Sequence, residues 1–379
     1  MVTLPLSSSR RFRAPGTSRT SRLSAALLVA PILLSAGTSV ASAQWAVLNL
    51  HPASADGESA AMGVGGARQV GTVGTGGVQA ASIWSGASQS WSSLAPVGAA
   101  SSAASGSLLG QQVGFALSGG IGRASLWTGS SATWTDLSPQ GSTYSYAYAT
   151  DGFTQVGIAA INMQTRGGLW TGSSASWTDL TPAGADGAFP RGVSGNAQVG
   201  WTQWGVQERA AVWSGTAASL VDLHPTGASR SQALGVANDI QVGFAVIGGI
   251  TRAGTWTGTA GSFVDLSPAG ATYSVANATL LGTSVGTALV GGRYRASLWT
   301  IEGAGAWEDL SLFLPAGFTS SYAQSVWTDA TSTYVVGVGY NSVSRRNEAL
   351  LWVRPTPIPA PGACGLLALG GLIAARRRR

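Results

Sequence analysis

The stretch Arg123 to Gly141, R-A-S-L-W-T-G-S-S-A-T-W-T-D-L-S-P-Q-G, decides the fold, because the chain returns to it again and again. The tryptophan of its L-W half recurs at Trp84, Trp127, Trp170, Trp213, Trp256 and Trp299, each 43 residues after the last, and once more at Trp352 after an insertion. The leucine of its D-L half keeps step at Leu50, Leu94, Leu137, Leu180, Leu223, Leu266 and Leu310, at intervals of 43 or 44. A third marker, Q-V-G or a variant of it, ends at Gly71, Gly114, Gly157, Gly200, Gly243, Gly286 and Gly337. Three independent rulers therefore count seven units, and a period of this length marks a stacked-repeat architecture.

Inside a unit the strand signals are short and dense. In the second unit, strands are expected at 99–106, 112–117, 123–128 and 134–137, broken by Gly119, Gly120 and Gly122, by the turn at 129–132, and by Pro139 with Gly141. Four short strands in 43 residues, with no segment of helical period, is the spacing of a β-propeller blade. One such unit leaves both faces bare, so units must stack, and seven of them close a ring without a long free edge. The expected architecture is an all-β, seven-bladed β-propeller over 44–354, built from four-stranded units of 43–44 residues.

The outer hairpin of each unit is legible residue by residue. If Thr128 pairs with Thr133, Trp127 falls opposite Trp134 and Arg123 lies one diagonal step from Asp136. The same relation recurs as Arg166 with Asp179, Arg209 with Asp222, Arg252 with Asp265 and Arg295 with Asp309. Facing aromatics and cross-strand ion pairs stabilise antiparallel strands by roughly 0.2–1 kcal/mol each, so these charges read first as parts of the blade. The ring closure is also readable. Trp45 to Leu50 matches a fourth strand with no third before it, and Glu348 to Trp352 a third with no fourth after it. The N-terminal strand is therefore expected to pair with 348–353 and complete the seventh blade.

Composition excludes one class of partner. All 21 basic residues are arginine, but nine of them lie in the two ends, at 10–22 and 376–379. The body from 44 to 354 carries 12 Arg against 15 acidic residues, so the overall charge of +6 does not describe a phosphate-binding face, and no nucleic-acid partner is expected. The basic ends read as targeting. Arginines precede an apolar run from Leu23 to Leu34, and Ala41-Ser42-Ala43 forms an A-x-A site, so residues 1–43 are expected to be a signal peptide cleaved between Ala43 and Gln44. Ser9-Arg10-Arg11 leaves a twin-arginine export route as an alternative. The single cysteine, Cys364, offers no disulfide framework.

Two resemblances follow from these stretches. Residues 123–157 resemble the extracellular HAF repeat, whose units read H-A-F-L-W, then D-L-G-x-L-G-G, then S-x-A-x-x-I-N-x-x-G-Q-V-V-G; this chain has Arg in place of the His and Pro in the turn after D-L. The likeness runs over all seven units and implies a secreted or surface β-repeat protein, with no catalytic residues to carry over. Beyond the repeats, Pro355-Thr356-Pro357-Ile358-Pro359-Ala360-Pro361 forms a stiff linker over 355–362, and 363–379 holds an apolar segment and four terminal arginines. This end is similar to a PEP-CTERM sorting signal, with Pro359-Ala360-Pro361 where that family has Pro-Glu-Pro. The resemblance implies an exosortase as processing partner. The apolar part, Ala363 to Ala375, is 13 residues, short of the ~20 of a spanning helix, which suits a transient membrane stop; a simple C-terminal membrane tail is the alternative.

Catalytic signatures are sparse. His51 and His224 occupy an L-H-P turn that carries Ser138, Thr181 or Ser267 in other units, four units apart, and read as turn residues rather than a joint metal site. No metal ligand set and no cofactor is expected. Asp56, Asp151, Asp186 and Asp239 fall in inter-strand turns, where Asx geometry accounts for them, with structural calcium as the alternative. A binding site is best sought where the repeat is broken. Trp204, at the turn position of Ser118, should be exposed beside Gln203 and Gln207, a surface suited to a sugar ring or a partner protein. The same logic selects Tyr144, Tyr146 and Tyr148, and Phe189-Pro190-Arg191, whereas Trp201 reads as core because Phe115 and Phe244 fill its place elsewhere. Two function classes stay open: a non-catalytic, exported surface or matrix protein binding envelope polysaccharide or protein, and a glycan-active enzyme needing two carboxylates about 5–10 Å apart in a central channel.

Overall fold

The computed structural model describes residues 44–301 and 306–356. The signal peptide, Ala43 of its cleavage site, Pro359-Ala360-Pro361 and the apolar segment with its arginine tail lie outside the described residues. The chain is a seven-bladed β-propeller: seven four-stranded antiparallel sheets, each running from an innermost to an outermost strand. No helix among the described residues is long and apolar enough to cross a membrane.

The second blade shows why the repeat folds as it does. Its strands are Ser101–Leu108, Gln111–Ser118, Ile121–Trp127 and Thr135–Asp136. The first two run a little beyond the expected bounds, because Leu109 and Gly110 alone make the turn between them, both at positive φ. The outermost strand is shorter than expected, since Ser131–Thr133 forms a turn of 3-10 helix ahead of it. The Q-V-G marker has a twofold reason. A Cβ on Gly114 would lie 1.9 Å from the Ala103 carbonyl oxygen, so only glycine fits. The buried Gln112 accepts a hydrogen bond from the Gly129 N–H at 2.7 Å and fixes the entry to the outer hairpin.

In that hairpin Ser125 pairs with Asp136 and Leu126 with Thr135, which sets Trp127 opposite Trp134. The Arg123–Asp136 ion pair forms at 2.8 Å, and its counterparts form at Arg166–Asp179 (2.9 Å), Arg209–Asp222, Arg252–Asp265 (2.9 Å) and Arg295–Asp309 (2.5 Å). Each recurring tryptophan is fully buried, and it packs mainly on the blade before its own: Trp127 meets Val70, Ala81, Ile83 and Leu94, and Trp170 meets Val113, Ala124, Leu126 and Leu137. The core is thus a ring of inter-blade layers.

A serine of the innermost strand stitches the same joints. Ser102, Ser145, Ser231, Ser274, Ser321 and Ser59 each accept a hydrogen bond from a third-strand N–H of the preceding blade, at 2.8–3.1 Å. Blade four has Ala188 instead, and there Thr181 Oγ1 takes the Gly167 N–H at 3.1 Å.

Closure follows the expected scheme. Ala46–Asn49 pairs antiparallel with Arg346–Pro355, from Ala46 opposite Val353 to Asn49 opposite Leu350, and the Leu50 N–H reaches the Ala349 carbonyl at 2.8 Å. Trp84 then packs on Leu50, Val336, Ala349 and Leu351, so the seventh joint repeats the other six.

Candidate functional site

Seven β-bulges organise the axis of the ring. In every innermost strand the register slips by one residue, between Ala61/Gly63, Ala104/Gly106, Ala147/Ala149, Pro190/Gly192, Ala233/Gly235, Ala276/Ala278 and Ala323/Ser325. A bulge leaves one residue without a cross-strand partner and re-aims its side chain. Here the released residues are Met62, Ser105, Tyr148, Arg191, Leu234, Asn277 and Gln324, and all seven line the central channel. The flanking residues are small because neighbouring strands press on them: a Cβ on Gly106 would meet the Ala149 Cα at 3.2 Å.

On one side of this ring the channel opens into a vestibule of about 520 Å³ that also meets Ala60, Trp201, Gln232 and Val338. On the other lies a cavity of about 240 Å³. Tyr148 and Trp201 are the aromatic residues lining the vestibule, and other aromatic residues lie outside its lining. Phe189 and Trp201 stack at 5.1 Å with planes 11° apart, and Tyr146 contacts Phe115 at 5.0 Å and Tyr144 at 5.7 Å. Across the ring a side cavity of about 320 Å³ is bounded by Tyr273, Tyr294 and Tyr322.

Arg191 is the charged member of the ring. Its guanidinium lies 3.7 Å from the centre of the Tyr148 ring and 4.9 Å from that of Trp201. Among the described residues it has no carboxylate within ion-pair distance, unlike the arginines of the outer hairpins. Burial pulls its pKa down, with Tyr148 acting in the opposite sense. Burial likewise pushes the Tyr148 hydroxyl up, and the Arg191 charge draws it partway back.

Of the sequence candidates, Tyr148 and Arg191 line the channel, whereas Tyr146 packs on Phe115 and Phe189 on Trp201 without lining these cavities. Trp204, Gln203 and Gln207 do not line these cavities; they sit on the hairpin joining Ala197–Trp204 to Gln207–Trp213. Trp204 is 37% exposed, with its indole N–H on Thr202 Oγ1 at 2.9 Å and its ring over the turn at Gly184. Gln203 pairs with Glu208 and turns its amide to the Gly205 carbonyl at 2.6 Å, and Gln207 accepts from Arg209 at 3.3 Å. These amides serve the hairpin. Trp201 is buried as expected, yet it also forms a wall of the vestibule.

The sequence reading passed over Asn277, Gln324, Ser105, Met62 and Leu234. A signal was present: at 61–63, 104–106, 147–149, 190–192, 233–235, 276–278 and 323–325 the chain reads small or proline, variable, small. A position that changes type in every repeat between unchanging small neighbours points to something other than the core.

The histidines act in turns. His51 Nδ1 meets Ser59 Oγ at 2.9 Å and His224 Nδ1 meets Ser231 Oγ at 2.7 Å, as Ser138 and Ser267 meet Ser145 and Ser274. Asp56, Asp151 and Asp186 accept backbone N–H groups of Gly76, Thr154 and Gly205. Among the described residues no group of three or more His, Cys, Asp or Glu side chains is placed to hold a metal.

No family model and no curated protein matches the chain. Solved structures do. Puromycin hydrolase aligns with a TM-score of 0.54 at 13% identity over 81% of this chain and 55% of its own, so the chain spans about half the length of that protein. The β-propeller domain of the Trilobed protease from Pyrococcus furiosus, a domain with an open velcro topology, aligns with a TM-score of 0.53 at 8% identity over 79% of this chain and 97% of its own. At these identities the likeness is one of fold.

Proposed function

We propose that the protein is an exported cell-surface or matrix propeller that binds envelope polysaccharide at its axial channel and performs no catalysis. The observation carrying this reading is the vestibule: Trp201 and Tyr148 line it together with Gln232, Asn277 and Gln324. Aromatic faces with interspersed amides suit the apolar faces and hydroxyls of sugar rings. Export is supported by the signal-peptide pattern of 1–43, and surface retention by the sorting-signal resemblance of 355–379. The glycan-hydrolase alternative needs paired carboxylates. Among the residues lining these cavities the one carboxylate is Asp151, which is engaged with the N–H groups of Phe153 and Thr154.

The test is a pull-down of the closed ring, residues 44–356, against polysaccharide and protein fractions of the producing cell's envelope, with Tyr148→Ala and Trp204→Ala in parallel. Saturable capture of polysaccharide, weakened by Tyr148→Ala and kept by Trp204→Ala, is the expected result. Capture of protein alone, or chain cleavage of the polysaccharide, would overturn the reading.

A further inference from the structure

Arg191 sits half-buried in the channel with no carboxylate partner in the ion pairs of the described residues. A guanidinium carries five N–H donors and a charge, and withdrawing it from water is costly unless a counter-charge and hydrogen-bond acceptors replace the solvent. The ring offers it two aromatic faces, Tyr148 at 3.7 Å and Trp201 at 4.9 Å, which compensate in part. Glu208 is engaged with Arg230 at 3.3 Å and Gln232 at 2.6 Å, and the outer-hairpin aspartates with their own arginines. Tyr148 and Trp201 hold part of the guanidinium, and none of the ion pairs among the described residues takes its remaining N–H groups. The bulge at Pro190/Gly192 aims this side chain at the axis, where it borders both the vestibule and the cavity behind it.

The chemistry of the occupant follows from those N–H groups and their surroundings. A guanidinium matches a planar carboxylate with two parallel hydrogen bonds. A single positive charge, with neutral Ser105, Asn277 and Gln324 on the vestibule side and Asp151 lining the cavity behind, balances a monoanion better than a phosphate dianion. Trp201, with Phe189 stacked on it and the guanidinium over its ring, gives the vestibule an apolar wall beside that charge. On a polysaccharide, a planar monoanion of this kind is the carboxylate of a sugar acid. We propose that the axial channel is a uronate-binding site, in which Arg191 takes the carboxylate of an acidic sugar unit at the wall that Tyr148 and Trp201 form. This deepens the polysaccharide reading above and rests on it.

The experiment is calorimetric titration of the full chain with a defined oligouronate, with the same oligosaccharide after carboxyl reduction, and with an acidic peptide. Arg191→Lys and Arg191→Met are the variants, and melting curves serve as the folding control. The oligouronate is expected to bind, and carboxyl reduction or Arg191→Lys to weaken it at least tenfold, because the bidentate pair is lost. Arg191→Met should abolish the preference for the charged sugar while leaving the melting temperature unchanged or higher, since it removes a desolvated charge with no partner. Equal binding of charged and reduced oligosaccharide would overturn the role of Arg191 and leave polysaccharide binding standing. Binding of neither sugar, or of the peptide alone, would overturn both. A large fall in melting temperature for Arg191→Met without ligand would assign the residue to the framework instead.

Discussion

At Glu348 two opposing effects act on one carboxyl group. Burial drives its pKa up, but hydrogen bonds from Ser344, Asn341, Asn49 and Arg346 hold the charged form more strongly and leave it at about 2. Free in the unfolded chain it titrates near 4.5. A carboxyl depressed in the folded state contributes stability that is complete above the unfolded value and is lost as pH falls toward the folded one. Glu348→Gln is therefore expected to melt below the wild type at pH 6, with the gap narrowing steadily as pH drops from 4.5 toward 2. Melting curves across that range check it, and a gap independent of pH would show that the donors do not depend on the charge. The Arg–Asp pairs of the outer hairpins were legible in the sequence because both partners lie within one hairpin. Glu348 was not, since Asn49 lies 299 residues away and only ring closure brings it near.

At the scale of the element, each blade is a sheet that cannot stand alone, and its stability resides in the joints. The serine stitch is a clean test. Ser145→Ala removes the acceptor of the Ala124 N–H and of nothing else in the backbone, leaving a buried donor unpaired at a cost of about 1–3 kcal/mol. The same change at the surface serine Ser93 should cost far less. Chemical denaturation of the two variants compares them directly, and equal effects would remove the stitch from the account of blade packing. Threonine in the neighbouring turn is the natural compensation, as Thr181 in blade three shows beside Ala188, so adding Ser138→Thr to Ser145→Ala should recover part of the loss. Strand existence and order were legible from the L-W, D-L and Q-V-G markers because these mark packing and turn positions used in every blade. The shortness of the outermost strand was not. The 3-10 turn of Ser131–Thr133 uses the same small polar residues that a simple hairpin turn would.

At the scale of the whole molecule, one short strand converts a row of blades into a ring. Removing residues 44–52 takes away the pairing of Ala46–Asn49 with Arg346–Pro355, the buried Leu50 and Trp45, and the indole bond from Trp45 to Glu308 at 2.9 Å. Burying a large apolar side chain contributes ~1.5–3 kcal/mol, and each kcal/mol moves the midpoint by about 2–4 °C in chains of a few hundred residues. The truncated chain is expected to melt roughly 5–15 °C lower in calorimetry. An unchanged melting temperature would mean that the seam is held without the strap.

What the sequence by itself determined is whatever repeats: seven blades, their four strands, the hairpin ion pairs and the split seventh blade. Each of these is enforced by a local physical rule, an unavoidable glycine, a buried tryptophan or a cross-strand neighbour, so each leaves its mark at a constant interval. The tertiary structure alone decided where the site lies. Tyr148, Arg191, Asn277 and Gln324 come from different blades and share no local contact in sequence, and a bulge in each innermost strand turns them to one axis. Trp204 drew notice as an irregular residue in a regular chain, but its hairpin lies away from the channel cavities. A break in the repeat tells where the packing rule is relaxed; only closure of the ring determines which relaxed positions face one another.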